Sequence, residues 1–234
     1  MQISPEATVF SVLAFGFVLG LQHATEADHL AAVSTIVSEK KNLLTASFVG
    51  GLWGIGHTIS LFVIGIMVIF LKLELSETTQ ARLEACVGVM LVLLGLSVLR
   101  KLIRGEKIHV HVHEHDGHRH AHVHSHEGGA VEPSHHRLSP RSVVVGMVHG
   151  LAGSGAFMLF VLPSIPSTTL ALAYIVIFGI GSIGGMMAMS FLIGLPFHFT
   201  AGRFDFLNRG IRLIAAIFSL GLGFTIIYEK LIAA

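Results

Sequence analysis

The sequence predicts an all-α membrane protein built from six transmembrane helices arranged as two inverted three-helix repeats. Three observations predict it. Hydrophobic residues make up 53% of the 234 residues and charged residues only 12%, with a mean hydropathy of +0.76, whereas an average soluble domain carries roughly 25% charged residues. Apolar runs fall at 7–37, 43–71, 83–103, 142–162, 169–197 and 210–232, each long enough to cross ~30 Å of hydrocarbon as a helix. The first half of the chain is also echoed in the second. Gly20-Leu21-Gln22-His23 returns as Gly146-Met147-Val148-His149, an offset of 126. Trp53-Gly54-Ile55-Gly56-His57-Thr58 returns as Phe178-Gly179-Ile180-Gly181-Ser182-Ile183, an offset of 125, and Leu94-Gly95-Leu96 as Leu220-Gly221-Leu222, again 126. Three spans per repeat is odd, so the halves must be inverted, an arrangement that in transporters puts the substrate site near the midplane at the repeat interface.

The first run follows an N-terminus, MQISPEATVF, that lacks the basic region of a secretory signal, so it is read as a retained span. Polar punctuation separates the runs at Glu39-Lys40-Lys41-Asn42, at Ser76 to Thr79, at Pro163 to Ser167 and at Gly202 to Asn208. Only the third break, 104–141, is long. The partition is a first repeat over 1–104, a loop over 105–140 and a second repeat over 141–234. Cationic residues set the orientation. Lys40, Lys41, Arg100, Lys101, Arg104, Lys107, Arg119, Arg137, Arg141, Arg203, Arg209 and Arg212 share one side, against Lys72, Arg82 and Lys230 on the other. The larger group belongs in the cytosol, which puts both termini outside and the long loop inside. A bacterial or archaeal inner membrane is the expected location. The single cysteine, Cys86, excludes an intramolecular disulfide, a redox pair or a thiolate cage, and reads as a small apolar helix residue.

Inside the first run, Gln22-His23-Ala24-Thr25-Glu26-Ala27-Asp28-His29 brings two histidines and two carboxylates into an apolar stretch. Ionisable groups at membrane depth are costly and mark functional sites. His23 lies near the middle of its run and His57 at the midpoint of 43–71, so both rings can meet at one depth. Taking His23 as zero and ~100° per residue, Glu26 sits at about −60°, His29 at about −120° and Asp28 at about +140°. A straight helix cannot aim all of them at one ion. Either the helix is distorted here, or Asp28 orients a ligand histidine from behind. The candidate set is His23, His29 and His57, with His149 from the repeat relation and a carboxylate from Asp28 or Glu26. Nitrogen and oxygen donors of this kind suit Ni, Co, Zn or Cu(II), and affinity order does not choose among them. His198, between two phenylalanines at a helix end, reads as interfacial, and Trp53 as a packing or anchoring residue. Gly179, Gly181, Gly184 and Gly185, with Gly150, Gly153, Ser154 and Gly155, read as close helix contacts.

His23 to His29 spells H-x-x-x-x-D-H, and Leu52 to Ser60 spells LWGIGHTIS. With the wider segments GLQHATEADHLAAVSTI and VGMVHGLAGSG, these resemble the motifs of the nickel/cobalt transporter family and are most similar to its short, urease-accessory-type nickel permeases. The resemblance covers all six predicted helices. It implies that His23, Asp28, His29 and His57 match residues of that family's metal path. The chain departs from the long members in having six spans rather than eight. Its histidine-rich loop resembles the efflux branch, which leaves the direction of transport open.

Residues 109–126 read HVHVHEHDGHRHAHVHSH, placing His109, His111, His113, His115, His118, His120, His122, His124 and His126 in one tract, with His135 and His136 beyond it. Such a tract cannot build a core and is expected to be flexible and metal-binding. Neutral imidazoles are free ligands at pH 7, and protonation below ~6.5 should release metal. A cytosolic position suits buffering, regulation, or exchange with metallochaperones.

The leading reading is a permease for nickel or cobalt, with Ni(II) or Co(II) as substrate and no prosthetic group. Its partners are the ion and the lipid bilayer, and no nucleic acid is expected. Moving a dication inward down ~100 mV releases about 4.6 kcal/mol, so uptake needs no ATP, and no phosphate-binding loop of the Gly-x-x-x-x-Gly-Lys-Ser/Thr type is present. Efflux of the same ions is the alternative. An intramembrane zinc hydrolase is a minor one, because H-E-x-x-H is missing and a histidine tract serves no hydrolytic step.

Overall fold

Backbone polar groups that enter hydrocarbon must be satisfied within the chain, so apolar runs become helices. A computed structural model of the protein describes residues 5–40, 42–72, 76–104, 109–115, 118–124, 140–151, 161–165, 167–201 and 203–233. They form helices α1 (Pro5–His23), α2 (Ala27–Val37), α3 (Leu43–Leu71), α4 (Glu77–Ile103), α5 (Pro140–Leu151), α6 (Thr168–Thr200) and α7 (Asp205–Leu231). Strands β1 (His109–His115) and β2 (His118–His124) and a 3-10 turn at Leu162–Ser164 complete them. The protein is an all-α membrane protein in its apolar part. Helices α3, α4, α6 and α7 are each long and apolar enough to span a bilayer, and α1 with α2 forms a fifth candidate as a bent pair. The fourth predicted span is represented by α5, whose apolar part is Ser142–Leu151. The remainder of that span, with Gly153, Ser154 and Gly155, lies outside the described residues.

The first run departs from a single helix over 7–37. It breaks after His23, and the axis turns by 54° between Val9–His23 and Ala27–Val37. The cause is local. Thr25 N donates to the Gln22 carbonyl at 2.8 Å and Glu26 N to the His23 carbonyl at 3.1 Å, so tight turns replace the i to i−4 ladder. The Thr25 hydroxyl donates to the same Gln22 carbonyl at 2.6 Å, a second bond to an oxygen at the helix end. Elsewhere the starts are capped as the polar breaks suggest. Asn42 Oδ1 accepts from Leu44 N and Thr45 N, Ser76 Oγ from Thr79 N, and Ser167 Oγ from Leu170 N.

Helices α3 and α6 pack together at the centre, α1 lies on α6, α5 lies on α3, and α4 pairs with α7. Helix α2 reaches across to α7, α6 and α4. Phe10, Phe70, Leu93, Ile103, Phe206 and Ile214 project outward, while His23, His29, His57 and His149 are buried. An apolar exterior around a polar interior is what a lipid solvent demands. Cys86 is exposed on the outside of α4, in keeping with an inert apolar residue. Ion pairs Lys101 to Glu39, at 2.7 Å, and Lys230 to Glu84 fasten the helix ends.

The histidine tract is not a featureless loop. Its strands pair antiparallel, with His109 opposite His124, His111 opposite His122, His113 opposite His120 and His115 opposite His118. Two alternating runs separated only by Asp116 and Gly117 are a strong local hairpin signal, which the expectation of flexibility overlooked. His126, His135 and His136 lie outside the described residues.

Close helix contacts depend on missing side chains. A Cβ on Gly20 would overlap the Phe178 carbonyl, and one on Gly146 the Trp53 carbonyl. A Cβ on Gly181 would overlap the Phe17 carbonyl, and one on Gly56 the Val143 carbonyl. Alanine at Gly20 or Gly56 should therefore force backbones apart and lower stability by about 1–3 kcal/mol. Gly184 and Gly221 have open space around the added atom, so alanine there should be neutral or stabilising by up to ~1 kcal/mol. Thermal unfolding in detergent checks the contrast, and equal losses at all four positions would refute it.

Candidate metal centre

The break after α1 reconciles the angular conflict in the His23 to His29 segment. Glu26 occupies the N-cap position of α2 but makes no capping bond with its side chain. Instead its Oε1 accepts from His23 Nδ1 at 2.8 Å. The opposite nitrogen, His23 Nε2, lies 2.9 Å from His57 Nε2 on α3. In the first turn of α2, Asp28 Oδ1 accepts from His29 N at 2.8 Å and faces His29 Nδ1 at 3.0 Å. Its second oxygen, Oδ2, faces His149 Nε2 on α5 at 3.1 Å. One carboxylate thus holds two imidazoles, and a second carboxylate holds a third.

His23 is 3% exposed, and His29, His57 and His149 are at 0%. Side-chain nitrogens His29 Nε2, His57 Nδ1 and His149 Nδ1 are buried without a hydrogen-bond partner. Unpartnered buried nitrogens are costly in a closed apolar setting, and a cation held beside His29 would satisfy its Nε2. Neutral imidazole donates from one nitrogen and offers a lone pair at the other. With Nδ1 of His23 and of His29 turned to carboxylates, the lone pair falls on Nε2 in each. The side-chain atoms that could hold a metal ion fall into two groups, His23 with His29 and His57, and Asp28 with His29 and His149, each with its atoms within 4.8 Å of one another.

Every core residue singled out from the sequence lies in this cluster. Glu26 stands at its edge, half-exposed, against His23. His198 lies apart, exposed and against Phe199. Two wall residues were not foreseen. The Trp53 ring centre stands 5.2 Å from that of His29 and 5.3 Å from that of His149, and Phe178 stands 5.5 Å from His23. The signal was available, since Trp53 precedes His57 by one turn on α3 and Phe178 is its counterpart at the repeat offset.

Comparison with known proteins gives one strong match. The chain is 35% identical over 227 residues to the urease accessory protein UreH of Bacillus sp. (strain TB-90), covering 91% of this chain and 89% of that protein. It is 22% identical over 218 residues to the chloroplast protein FOR GROWTH AND FERTILITY 1 of Arabidopsis thaliana, and 23% over 223 residues to FOR GROWTH AND FERTILITY 2. Those matches take in 91% and 92% of this chain but only 57% and 55% of the plant proteins. No family model matches. No solved structure matches.

The protein contains a single tryptophan, and it lines the cluster, so occupancy has an intrinsic reporter. Paramagnetic Ni(II) or Co(II) should quench Trp53 emission saturably, and His29→Ala should remove the effect. Quenching that persists in His29→Ala would place the ion elsewhere.

Proposed function

The chain belongs to the family of the urease accessory protein UreH, the short branch of the nickel/cobalt transporters to which its motifs point, and we propose that it carries a divalent transition-metal ion, nickel or cobalt, through the His/Asp centre. It is a transporter rather than an enzyme. The observation that carries the reading is the convergence of four buried imidazoles and a carboxylate inside apolar helices, where such groups are retained for a substrate path.

Donor chemistry supports a borderline dication. Imidazole nitrogens with a carboxylate suit such an ion, and the 2.9 Å hydrogen-bond separation of His23 Nε2 and His57 Nε2 brings the two rings close enough for one ion to take the place of the shared proton. Asp28 acts as an orienting carboxylate for His29 and His149 while the ion rests on His23, His29 and His57. Glu26 does the same for His23.

Six spans as two inverted repeats, 1–104 and 141–234, give the centre a two-fold frame. Equivalent contacts support that frame. Trp53 flanks His149 as Phe178 flanks His23, and Gly20 meets Phe178 as Gly146 meets Trp53. Helix α1 lies on α6 as α5 lies on α3. With both termini outside, the tract between the repeats is cytosolic, where it would buffer the ion or exchange it with metallochaperones. Uptake driven by the membrane potential is the preferred direction. The tract favours efflux as the second reading, because it could collect cytosolic metal.

In proteoliposomes of pure protein, radiolabelled nickel or cobalt flux should fall by more than ~100-fold in His23→Ala and His57→Ala with normal insertion, while His198→Ala should be nearly silent. Near-normal flux in the first two would sink the proposed path. Replacing the nine tract histidines by asparagine should leave core flux measurable and shift its metal threshold. Complete loss of flux would make the tract part of the obligatory route.

A further inference from the structure

The two ligand groups share one member, and the sharing has mechanistic content. We propose, on the basis of the transport reading above, that an ion crosses the centre through two overlapping positions with His29 as the ligand common to both. The first position is His23, His29 and His57, which offers nitrogen donors only. The second is Asp28, His29 and His149, which adds an anionic oxygen. Each group brings its ligating atoms within 4.8 Å of one another, and the two groups have His29 alone in common.

The ring of His29 sits between the others, its centre 4.4 Å from that of His23 and 4.2 Å from that of His149. One edge is occupied by Asp28 and the other nitrogen has no partner. An ion moving from the first position, against Nε2, to the second, against the Nδ1 edge that faces Asp28, passes from one edge of this ring to the other while it exchanges His23 and His57 for Asp28 and His149. The two positions adjoin, so the ion need not cross a ligand-free apolar gap. Passage requires binding that is firm enough to enter and shared enough to leave, and overlapping positions meet both demands. Two dications sharing one ring would face each other with few carboxylates to offset them, so occupancy is one ion at a time. Asp28, which orients His29 while the first position is filled, becomes a direct ligand in the second.

The prediction is a separation of binding from flux. Core occupancy is read by quenching of Trp53 with Ni(II) in the full-length protein, and flux by radiolabelled nickel in proteoliposomes. Wild type should bind one core ion. His57→Ala and His149→Ala each leave one position impaired and the other intact, so each should retain saturable quenching within ~10-fold of wild-type affinity while flux falls by ~100-fold or more. His29→Ala and the double variant His57→Ala with His149→Ala damage both positions and should lose quenching. Asp28→Asn should weaken binding by ~10–100-fold through His29 and depress flux further.

If His57→Ala and His149→Ala lose binding as completely as His29→Ala, the centre is one site and the relay is wrong. Two core ions bound at once in wild type would also overturn it. Should wild type itself neither bind nor move nickel or cobalt, the transport reading fails, which is a separate result. The double variant keeps the test decisive if His29→Ala does not fold.

Discussion

Asp28 places a carboxylate between two imidazoles in a part of the chain that lipid surrounds. An isolated carboxylate there would be prohibitively desolvated. Hydrogen bonds from His29 Nδ1, from His149 Nε2 and from the His29 backbone amide occupy both oxygens, and the start of α2 adds the favourable end of its dipole. Much else follows from this arrangement. The first span must break so that a helix can begin at Asp28, α5 must approach α2 closely enough to deliver His149, and Trp53 closes the wall beside both rings.

The break satisfies two demands with one turn of chain. It releases His23 and His29 from the angular separation that a regular helix would impose, and it frees Glu26 from the helix surface to reach His23. Transporter sites repeatedly use interrupted helices in this way, because irregular backbone at membrane depth is tolerated only where protein or a cavity covers it. Here the freed carbonyl of Gln22 is covered twice, by Thr25 N and by the Thr25 hydroxyl.

Around the centre, tight glycine contacts hold α1 against α6 and α5 against α3. In lipid, association rests on close packing rather than on a hydrophobic drive between helices, so these contacts set the distances across which the imidazoles meet. Small residues on α2, among them Ala31 and Ala32, both fully buried, let it lie close to its neighbours. A rigid frame keeps the side chains of the cluster within a narrow range of separations.

The sequence by itself determined the membrane class, the positions of most spans and the candidate ligands. Hydropathy is read along one dimension, a span needs ~20 consecutive apolar residues, and an ionisable residue in an apolar run is visible without coordinates. His149 was legible only through its repeat relation to His23, which pointed to the residue and not to its partner. Tertiary structure decided that Asp28 bridges His29 and His149, that Glu26 holds His23, and that the donors divide into two groups around His29. The Asp28 to His149 contact joins atoms on different helices, 121 positions apart, and nothing in local propensity encodes it. The break after His23 was hinted at by the angular conflict, yet where the chain turned depended on the Thr25 and Glu26 bonds to carbonyls at 22 and 23. Trp53 and Phe178 looked like ordinary packing residues because an aromatic ring becomes the wall of a site only when another helix sets a ligand against it.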